Sequence, residues 1–149
     1  MEDKERMSIL KRQQFVNALE EDWAGYPTRF HAMEPEARSA FLGKQGYARF
    51  ADLLAHIIAW WELGYPMIEK YLSDLQSELP QIDVDLFNAR AVESVRNLDE
   101  AEVEKSFERV RYFLINFIKT LPDSAFENEK VITQFNMDIV GHLQEHRIN

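Results

Sequence analysis

The histidines are the residues of this chain with the clearest capacity for chemistry. His142 and His146 are four residues apart, and His56 lies in the apolar segment Leu53–Trp61. Side chains at a spacing of four project from neighbouring turns of one helix face, so both imidazoles can reach one point. Three neutral imidazoles leave an open position on a divalent Zn, Ni or Fe ion, which is typical of a reactive metal site. A metal-free histidine cluster is the alternative, and His31 is expected at the surface.

Carboxylates and tryptophans near these histidines are the candidates for the remaining roles. Asp52 and Asp138 each precede a candidate ligand by one helical turn, and they are the predicted catalytic residues. Each can orient a histidine or act as a general base, with a solvated or capping acid as the alternative. Trp60 and Trp61 are the predicted substrate contacts, because aromatic side chains commonly line small-molecule sites.

The helix that carries His142 and His146 has a continuous apolar face. Placed at ~100° intervals, residues 130–148 give one arc that includes both histidines. That arc contains Val131, His142, Phe135, His146, Ile139, Ile132 and Leu143, and the opposite face carries Lys130, Gln134, Gly141 and Gln144. Both histidines are therefore predicted to face the protein interior.

Helical periodicity extends over most of the chain and predicts an all-α protein with four long helices. The first predicted helix covers 4–24, with Ile9, Val16, Leu19 and Trp23 on one face, and a connection follows over 35–48. The second long helix runs from Arg49 to Leu79 with a kink at Pro66, and it is followed by a loop over 80–86 and a short helix to Asn97. An Asp99/Glu102 capping box begins the third long helix, which Pro122 ends, and the last helix follows. These elements predict a four-helix bundle.

The composition limits the classes of partner. The 149 residues suit one domain, 1–149, and the net charge of -9 opposes binding to nucleic acids and anionic membranes. The chain has no Cys, so disulfides and thiolate metal ligands are excluded. The sequence contains neither an apolar segment of membrane-spanning length nor the pattern of a signal peptide, and a cytoplasmic protein is expected.

The motifs around the histidines resemble the DinB-like superfamily of small bacterial four-helix bundles. The resemblance rests on Ala51-Asp52-Leu53-Leu54-Ala55-His56-Ile57-Ile58-Ala59-Trp60 and on His142-Leu143-Gln144-Glu145-His146-Arg147. It implies a three-histidine metal site at His56, His142 and His146. It also implies a crossover between the second and third helices, for which the short helix before Asn97 is suited.

Two shorter stretches are similar to the ClbS/DfsB branch of that superfamily. They are His56-Ile57-Ile58-Ala59-Trp60-Trp61-Glu62-Leu63 and Asp85-Leu86-Phe87-Asn88. Members of this branch include self-resistance proteins that inactivate a genotoxic metabolite by opening its cyclopropane. The resemblance therefore implies an enzyme acting on a small electrophilic or toxic metabolite.

Two reactions suit a three-histidine metal site. The metal can acidify water for hydrolysis, or it can bind and deprotonate a low-molecular-weight thiol, as in the thiol-dependent transferases of the superfamily. Since the chain has no Cys, that thiol must be external. The alternatives are a non-catalytic bundle that sequesters a hydrophobic small molecule and a structural bundle that oligomerises, with a homodimer as its simplest form.

Overall fold

The computed structural model describes residues 2–78 and 80–148, and every regular element in these two ranges is helical. The helices are α1 (Glu2–Asn17), α2 (Tyr26–Ala32), α3 (Pro35–Gln45), α4 (Phe50–Ser73), α5 (Val84–Ser94), α6 (Glu100–Thr120), α7 (Glu129–Phe135) and α8 (His142–Glu145). A π-helical segment over Ala18–Asp22 extends α1, and a second over Asn136–Gly141 joins α7 to α8. A 3-10 turn covers Asp123–Glu127. The predicted all-α class is confirmed.

Helix α4 is the central element and packs against α5, α6 and α7. Its composition explains this position, because apolar residues cover most of its circumference, and Leu53, Leu54 and Ile57 are fully buried. The helix continues through Pro66 and ends at Ser73, before the predicted end at Leu79, which lies outside the described residues. None of the helices that the structure describes is long and apolar enough to cross a membrane.

Helix α6 begins and ends as the sequence predicts. The Asp99 carboxylate accepts from the Glu102 backbone N–H at 2.8 Å, and the Glu102 carboxylate accepts from the Asp99 N–H at 3.1 Å. This reciprocal capping box satisfies backbone donors that have no partner within the helix. The helix ends at Thr120, two residues before Pro122, and its side chains Val103 and Phe107 are fully buried against the core.

Two predicted elements differ from the structure. Residues 35–45 form a complete helix, which begins with Pro35 and ends at Gly46 in the left-handed region with φ 83°. Pro at the first helical position and Gly after the last both favour this outcome. In α1, Ile9 is 59% exposed because the buried face is rotated toward Ser8 and Phe15. The inclusion of Ile9 in the apolar face was therefore wrong.

Candidate metal centre

Three histidines that are far apart in the sequence meet at the end of the helical core. His56 lies on α4, His142 is the first residue of α8, and His146 follows α8 directly. The Nε2 atoms of His56 and His146 are 3.2 Å apart, and one nitrogen from each of the three rings lies within 4.8 Å of the other two. His56 and His146 are buried, and His142 is partly buried. The structure thus brings together all three predicted metal ligands.

The orientation of His56 is set by Asn88 on α5. The Asn88 Oδ1 atom accepts from Trp60 Nε1 at 2.8 Å and lies 2.9 Å from His56 Nδ1. An indole N–H can only donate, so the amide atom that it contacts is the oxygen. His56 Nδ1 therefore carries a proton and donates it to this oxygen. The Nε2 atom of His56 is left with a lone pair directed at the other histidines.

The imidazoles of His142 and His146 also carry their proton on Nδ1. His146 Nδ1 donates to Gln45 Oε1 at 2.6 Å, while Gln45 Nε2 donates to the Glu145 backbone carbonyl at 3.2 Å, which fixes the orientation of the amide. His142 Nδ1 donates to the Asp138 backbone carbonyl at 2.9 Å, an oxygen that can only accept. The Nε2 atoms of all three rings are therefore unprotonated, and one nitrogen of His142 lies within 4.8 Å of the nitrogens of His56 and His146.

This convergence fits a divalent metal. Two nitrogen ligands at ~2.05 Å from a tetrahedral ion lie ~3.3 Å apart, close to the observed 3.2 Å between His56 and His146. Burial lowers the pKa of all three histidines, to about 4 for His142 and about 3 for His146, and repulsion from His56 adds to the effect in both. The rings are therefore neutral at pH 7, which is the state that binds metals.

The π-helical segment before α8 sets the position of His142 and His146, two of the three predicted metal ligands. Its Asp138 carbonyl accepts from Trp61 Nε1 at 2.7 Å as well as from His142, and its Ile139 carbonyl accepts from Trp23 Nε1 at 3.0 Å. The segment also changes the helical register. Gln134, expected on the solvent face, is only 4% exposed, because the buried face of the preceding α7 consists of Val131, Gln134 and Phe135. Such π-turns interrupt α-helices preferentially at functional sites.

The chain end beyond α8 is held by Tyr26. Its hydroxyl donates to the His146 backbone carbonyl at 2.6 Å, inside the core. Burial raises the pKa of the Tyr26 phenol, so the group stays protonated and remains a donor. The last ligand is therefore fixed both at its ring, by Gln45, and at its backbone, by Tyr26.

A cavity of about 410 Å³ opens beside the three histidines. Its walls include the predicted ligands His56 and His142. The other wall residues are the apolar Trp60, Val84 and Met137 and the polar Asn88, Gln134, Asp138 and Glu145. This volume is within the range of pockets that hold small organic molecules. A molecule in this cavity would lie next to the point where the Nε2 atoms converge.

Asp138 is the buried acid of this cavity. Its carboxylate is 6% exposed and accepts from Gln134 Nε2 at 2.9 Å. The carboxylate lies directly against the backbone of Gly64 on α4, where any Cβ atom would overlap its Oδ2 atom. Burial raises the pKa of Asp138 to about 7, the range in which a group can both take up and release protons.

Comparisons with family models, with curated proteins and with solved structures gave no match. The geometry of the histidines and of the cavity is therefore the basis for assigning a function.

The structure places Asp52 and Trp61 outside this cavity. The Asp52 carboxylate pairs with Arg49 at 2.7 Å, and Arg49 also donates to the Val95 and Leu98 carbonyls. Asp52 thus ties the start of α4 to the segment between α5 and α6. Trp61 is 1% exposed and packs edge-on against Trp23, so it supports the site from inside the core. Trp60, the other predicted substrate contact, is on the cavity wall.

Two groups that orient the histidines were not predicted. Asn88 lies in the stretch Asp85–Asn88 that supports the family resemblance, but its spacing from His56 gives no indication of a contact. Gln45 lies in the segment predicted as a connection. Carboxylates were expected to orient the rings, whereas two amide oxygens and one backbone carbonyl do so. His31 is exposed, as predicted, and contacts Glu100 and Glu104.

Proposed function

We propose that this protein is a metal-dependent enzyme of the DinB-like type that acts on a small electrophilic or toxic metabolite. The observation that carries the proposal is the convergence of three neutral imidazoles, from His56, His142 and His146, next to a cavity. Neutral nitrogens at 3.2 Å repel one another unless a cation or a proton lies between them. Since each ring already places its proton on Nδ1, a divalent Zn, Ni or Fe ion is the proposed occupant.

The proposed architecture is the four-helix bundle with a crossover that the resemblance implies. Helices α1, α4 and α6 and the combined α7 and α8 segment would be its four members, and α5 would lie on the crossover between α4 and α6. The contacts of α4 with α6 and α7, and of α1 with α6, support this arrangement. The position of α5 is functionally relevant because this helix carries Asn88.

Different residues of the chain would bind the metal, orient its ligands and contact the substrate. A divalent ion held by three neutral imidazoles supplies Lewis acidity, which lowers the pKa of water or of an external thiol. Asn88, Gln45 and the Asp138 carbonyl keep the three rings in the metal-binding tautomer. Trp60 and Met137 offer apolar surface to the body of an organic substrate.

Asp138 is the proposed proton-transfer group. It lies in the cavity wall, it is held by Gln134, and its raised pKa of about 7 suits exchange of a proton with a bound reactant at neutral pH. The general-base role predicted for Asp52 receives no such support, because its carboxylate is engaged by Arg49. The absence of Cys from the chain and its acidic composition support a cytoplasmic location as part of the proposal.

Sequestration of a hydrophobic molecule without chemistry is the second candidate function. The apolar walls formed by Trp60, Val84 and Met137 favour it, because they can hold an organic molecule whether or not a metal is present. The two functions differ in their dependence on the histidines. Catalysis requires the metal ligands, whereas sequestration requires only the walls.

Elemental analysis of protein purified without a metal-affinity tag tests the metal site. We expect one divalent ion per chain in the wild type and in the His31→Ala variant, and none in His146→Ala. His31→Ala is the matched control because it removes a histidine from the surface. Equal metal content in wild type and His146→Ala would refute the site.

Product analysis tests the reaction. Small electrophiles such as epoxides and activated cyclopropanes are incubated with metal-loaded protein, with and without a panel of low-molecular-weight thiols, and products are identified by mass. A thiol adduct formed only by the enzyme supports transfer, and addition of water supports hydrolysis. If an electrophile binds but no product forms, and if His142→Ala binds it equally well, the result would support sequestration and contradict catalysis.

A further inference from the structure

The surface of α4 opposite the histidines forms an exposed aromatic groove between α4 and α6. Tyr65 follows His56 by nine residues, which places it ~180° around the helix. The groove has a volume of about 370 Å³. Its lining residues are Trp61, Glu62 and Tyr65 from α4 and Arg109, Val110, Phe113 and Leu114 from α6.

Three aromatic rings form the centre of this surface. The Tyr65 ring stands edge-on to Phe113 and Phe117, with centroid distances of 4.8 Å and 4.7 Å, and the two Phe rings are parallel. Phe113 is 47% exposed, and its neighbour Tyr112 is 60% exposed. Contiguous exposed aromatic surface of this kind marks interaction sites on soluble proteins. We call the residues Tyr65, Phe113 and Phe117 the aromatic face.

Two opposite charges flank the aromatic face. Glu62 lies on the α4 side and Arg109 on the α6 side of the same groove. Within residues 2–78 and 80–148, neither side chain forms an ion pair. Arg109 makes one long contact, at 3.3 Å, with its neighbour Ser106. Each charge is thus available to a partner that offers the opposite charge.

We propose that the aromatic face is the interface of a homodimer. A two-fold interface must be complementary to itself, and a surface with an acid on one side and a base on the other meets this requirement. In such a dimer Glu62 of each chain faces Arg109 of the other, while the aromatic rings pack at the centre. The acid and the base on the two sides of this groove match the same pair on a second copy of the chain, which is why a second copy is the proposed partner.

The dimer leaves the metal centre open. The histidines and their cavity are on the side of α4 that faces α5 and α8, so dimerisation through the aromatic face neither covers nor completes them. The inference is therefore independent of the proposed enzymatic function, and its test requires no substrate or metal.

Sedimentation equilibrium of the full chain, from micromolar to sub-millimolar concentration, tests the proposal. We expect a concentration-dependent dimer for the wild type and a dimer at least ~10-fold weaker for Phe113→Ser, Glu62→Arg and Arg109→Glu. Phe113→Ser removes an aromatic ring from the centre of the interface, and each charge reversal places like charges opposite each other. Ile9→Ser, which removes an exposed apolar side chain from α1, is the control and should dimerise as the wild type does. Circular dichroism verifies that each variant remains folded.

A mixture of the two charge-reversal variants gives the decisive result. Glu62→Arg carries two bases and Arg109→Glu carries two acids at the interface, so an equimolar mixture should recover the dimer as a heterodimer. A wild type that stays monomeric at every concentration would overturn the proposal. A wild-type dimer with no recovery in the mixture would equally overturn it, since the dimer would then use another surface.

Discussion

Among the residues that the structure describes, two groups of side chains are close enough together to hold a common metal ion, and the two groups differ in burial and in their contacts. The first is the triad of His56, His142 and His146, and the second is the surface cluster of His31, Glu100 and Glu104. In the triad, each Nδ1 donates to an acceptor, and the Nε2 atoms of His56 and His146 face each other. In the surface cluster, His31 Nε2 faces carboxylate oxygens at 2.7 Å and 3.1 Å.

Proximity of potential ligands is thus a weaker criterion for a metal site than the hydrogen bonds and protonation states of those ligands. In the surface cluster the exposed His31 ring contacts two carboxylates in water, and exposed clusters of this kind are common without a metal ion. In the triad the Glu145 carboxylate lies 3.7 Å from His146 Nε2, and burial lowers the pKa of all three rings. The triad is therefore the group that we propose as the metal site.

The largest expected effect is the acid sensitivity of the metal-free protein. In the unfolded chain the three triad histidines protonate near pH ~6.5, whereas the folded protein keeps them neutral to lower pH. The unfolded state thus binds more protons, and the free energy of unfolding decreases as pH falls below ~6.5. We expect the melting temperature of chelator-treated protein to fall by ~5 °C or more per pH unit, measured by circular dichroism.

Variants separate the triad from other groups in this experiment. His31→Ala should leave the slope unchanged, and the double variant His142→Leu/His146→Leu should flatten it. Asp138 acts in the opposite direction, because its folded pKa of about 7 exceeds the unfolded value and its contribution falls as pH rises. Asp138→Asn should therefore steepen the loss in acid. A double histidine variant as acid-sensitive as the wild type would contradict the prediction.

The next largest effect is expected at the close contact between Gly64 and the Asp138 carboxylate, for which the surface cluster has no counterpart. Gly64→Ala should lower the melting temperature by several degrees, because the new methyl group overlaps the Asp138 carboxylate. Without such an overlap, Gly→Ala inside a helix normally stabilises the protein by ~1 kcal/mol. In an Asp138→Ala background the same substitution should become neutral or stabilising. Gly43→Ala is the control, since nothing lies near that position in α3. Equal effects of Gly64→Ala in both backgrounds would disprove the overlap.

A smaller effect is expected from the groups that orient the triad. Asn88→Ala removes the acceptor of His56 Nδ1 without touching a metal ligand. Loss of such a partner typically weakens metal binding by ~10-fold to 100-fold. Competition with a chromogenic chelator measures the affinity, and Asn97→Ala at an exposed position is the control. An unchanged affinity in Asn88→Ala would show that the tautomer of His56 is fixed by something else.

The smallest effect should come from the surface cluster. Glu104→Gln removes the closer carboxylate of His31, and we expect it to cost no more than ~1 kcal/mol of unfolding free energy, with less at high salt. Metal content should stay at the wild-type value. Chemical denaturation at low and high salt provides the measurement. A loss of bound metal in Glu104→Gln would give the surface cluster the role that we assign to the triad.

Side chains whose positions depend on one helix were predictable from the sequence. The capping box of α6, the buried positions of Val103 and Phe107 and the inward direction of His142 and His146 all follow from local spacing. His56 was predictable in the same way because α4 is strongly apolar. These features require no information about how distant segments dock.

Features that depend on the docking of distant segments were not predictable. The contact of Gln45 with His146 spans 101 residues, and that of Asn88 with His56 spans 32. The burial of Gln134 was mispredicted because its polarity indicates a solvent position, whereas its amide donates to the buried Asp138 carboxylate. The π-turn in turn depends on donors from Trp23 and Trp61, which no local pattern near residue 138 reveals.

The indole bonds to the π-turn have a consequence for how the protein folds. An isolated helix over residues 129–145 would adopt the regular α-helical register, because the Asp138 and Ile139 carbonyls would lack Trp61 and Trp23 as donors. His142 and His146 therefore reach their native angular position only after this segment docks onto α4 and the segment that follows α1. Amide exchange in the π-turn should then be as slow as in the core of α4, so that the metal centre opens only by global unfolding.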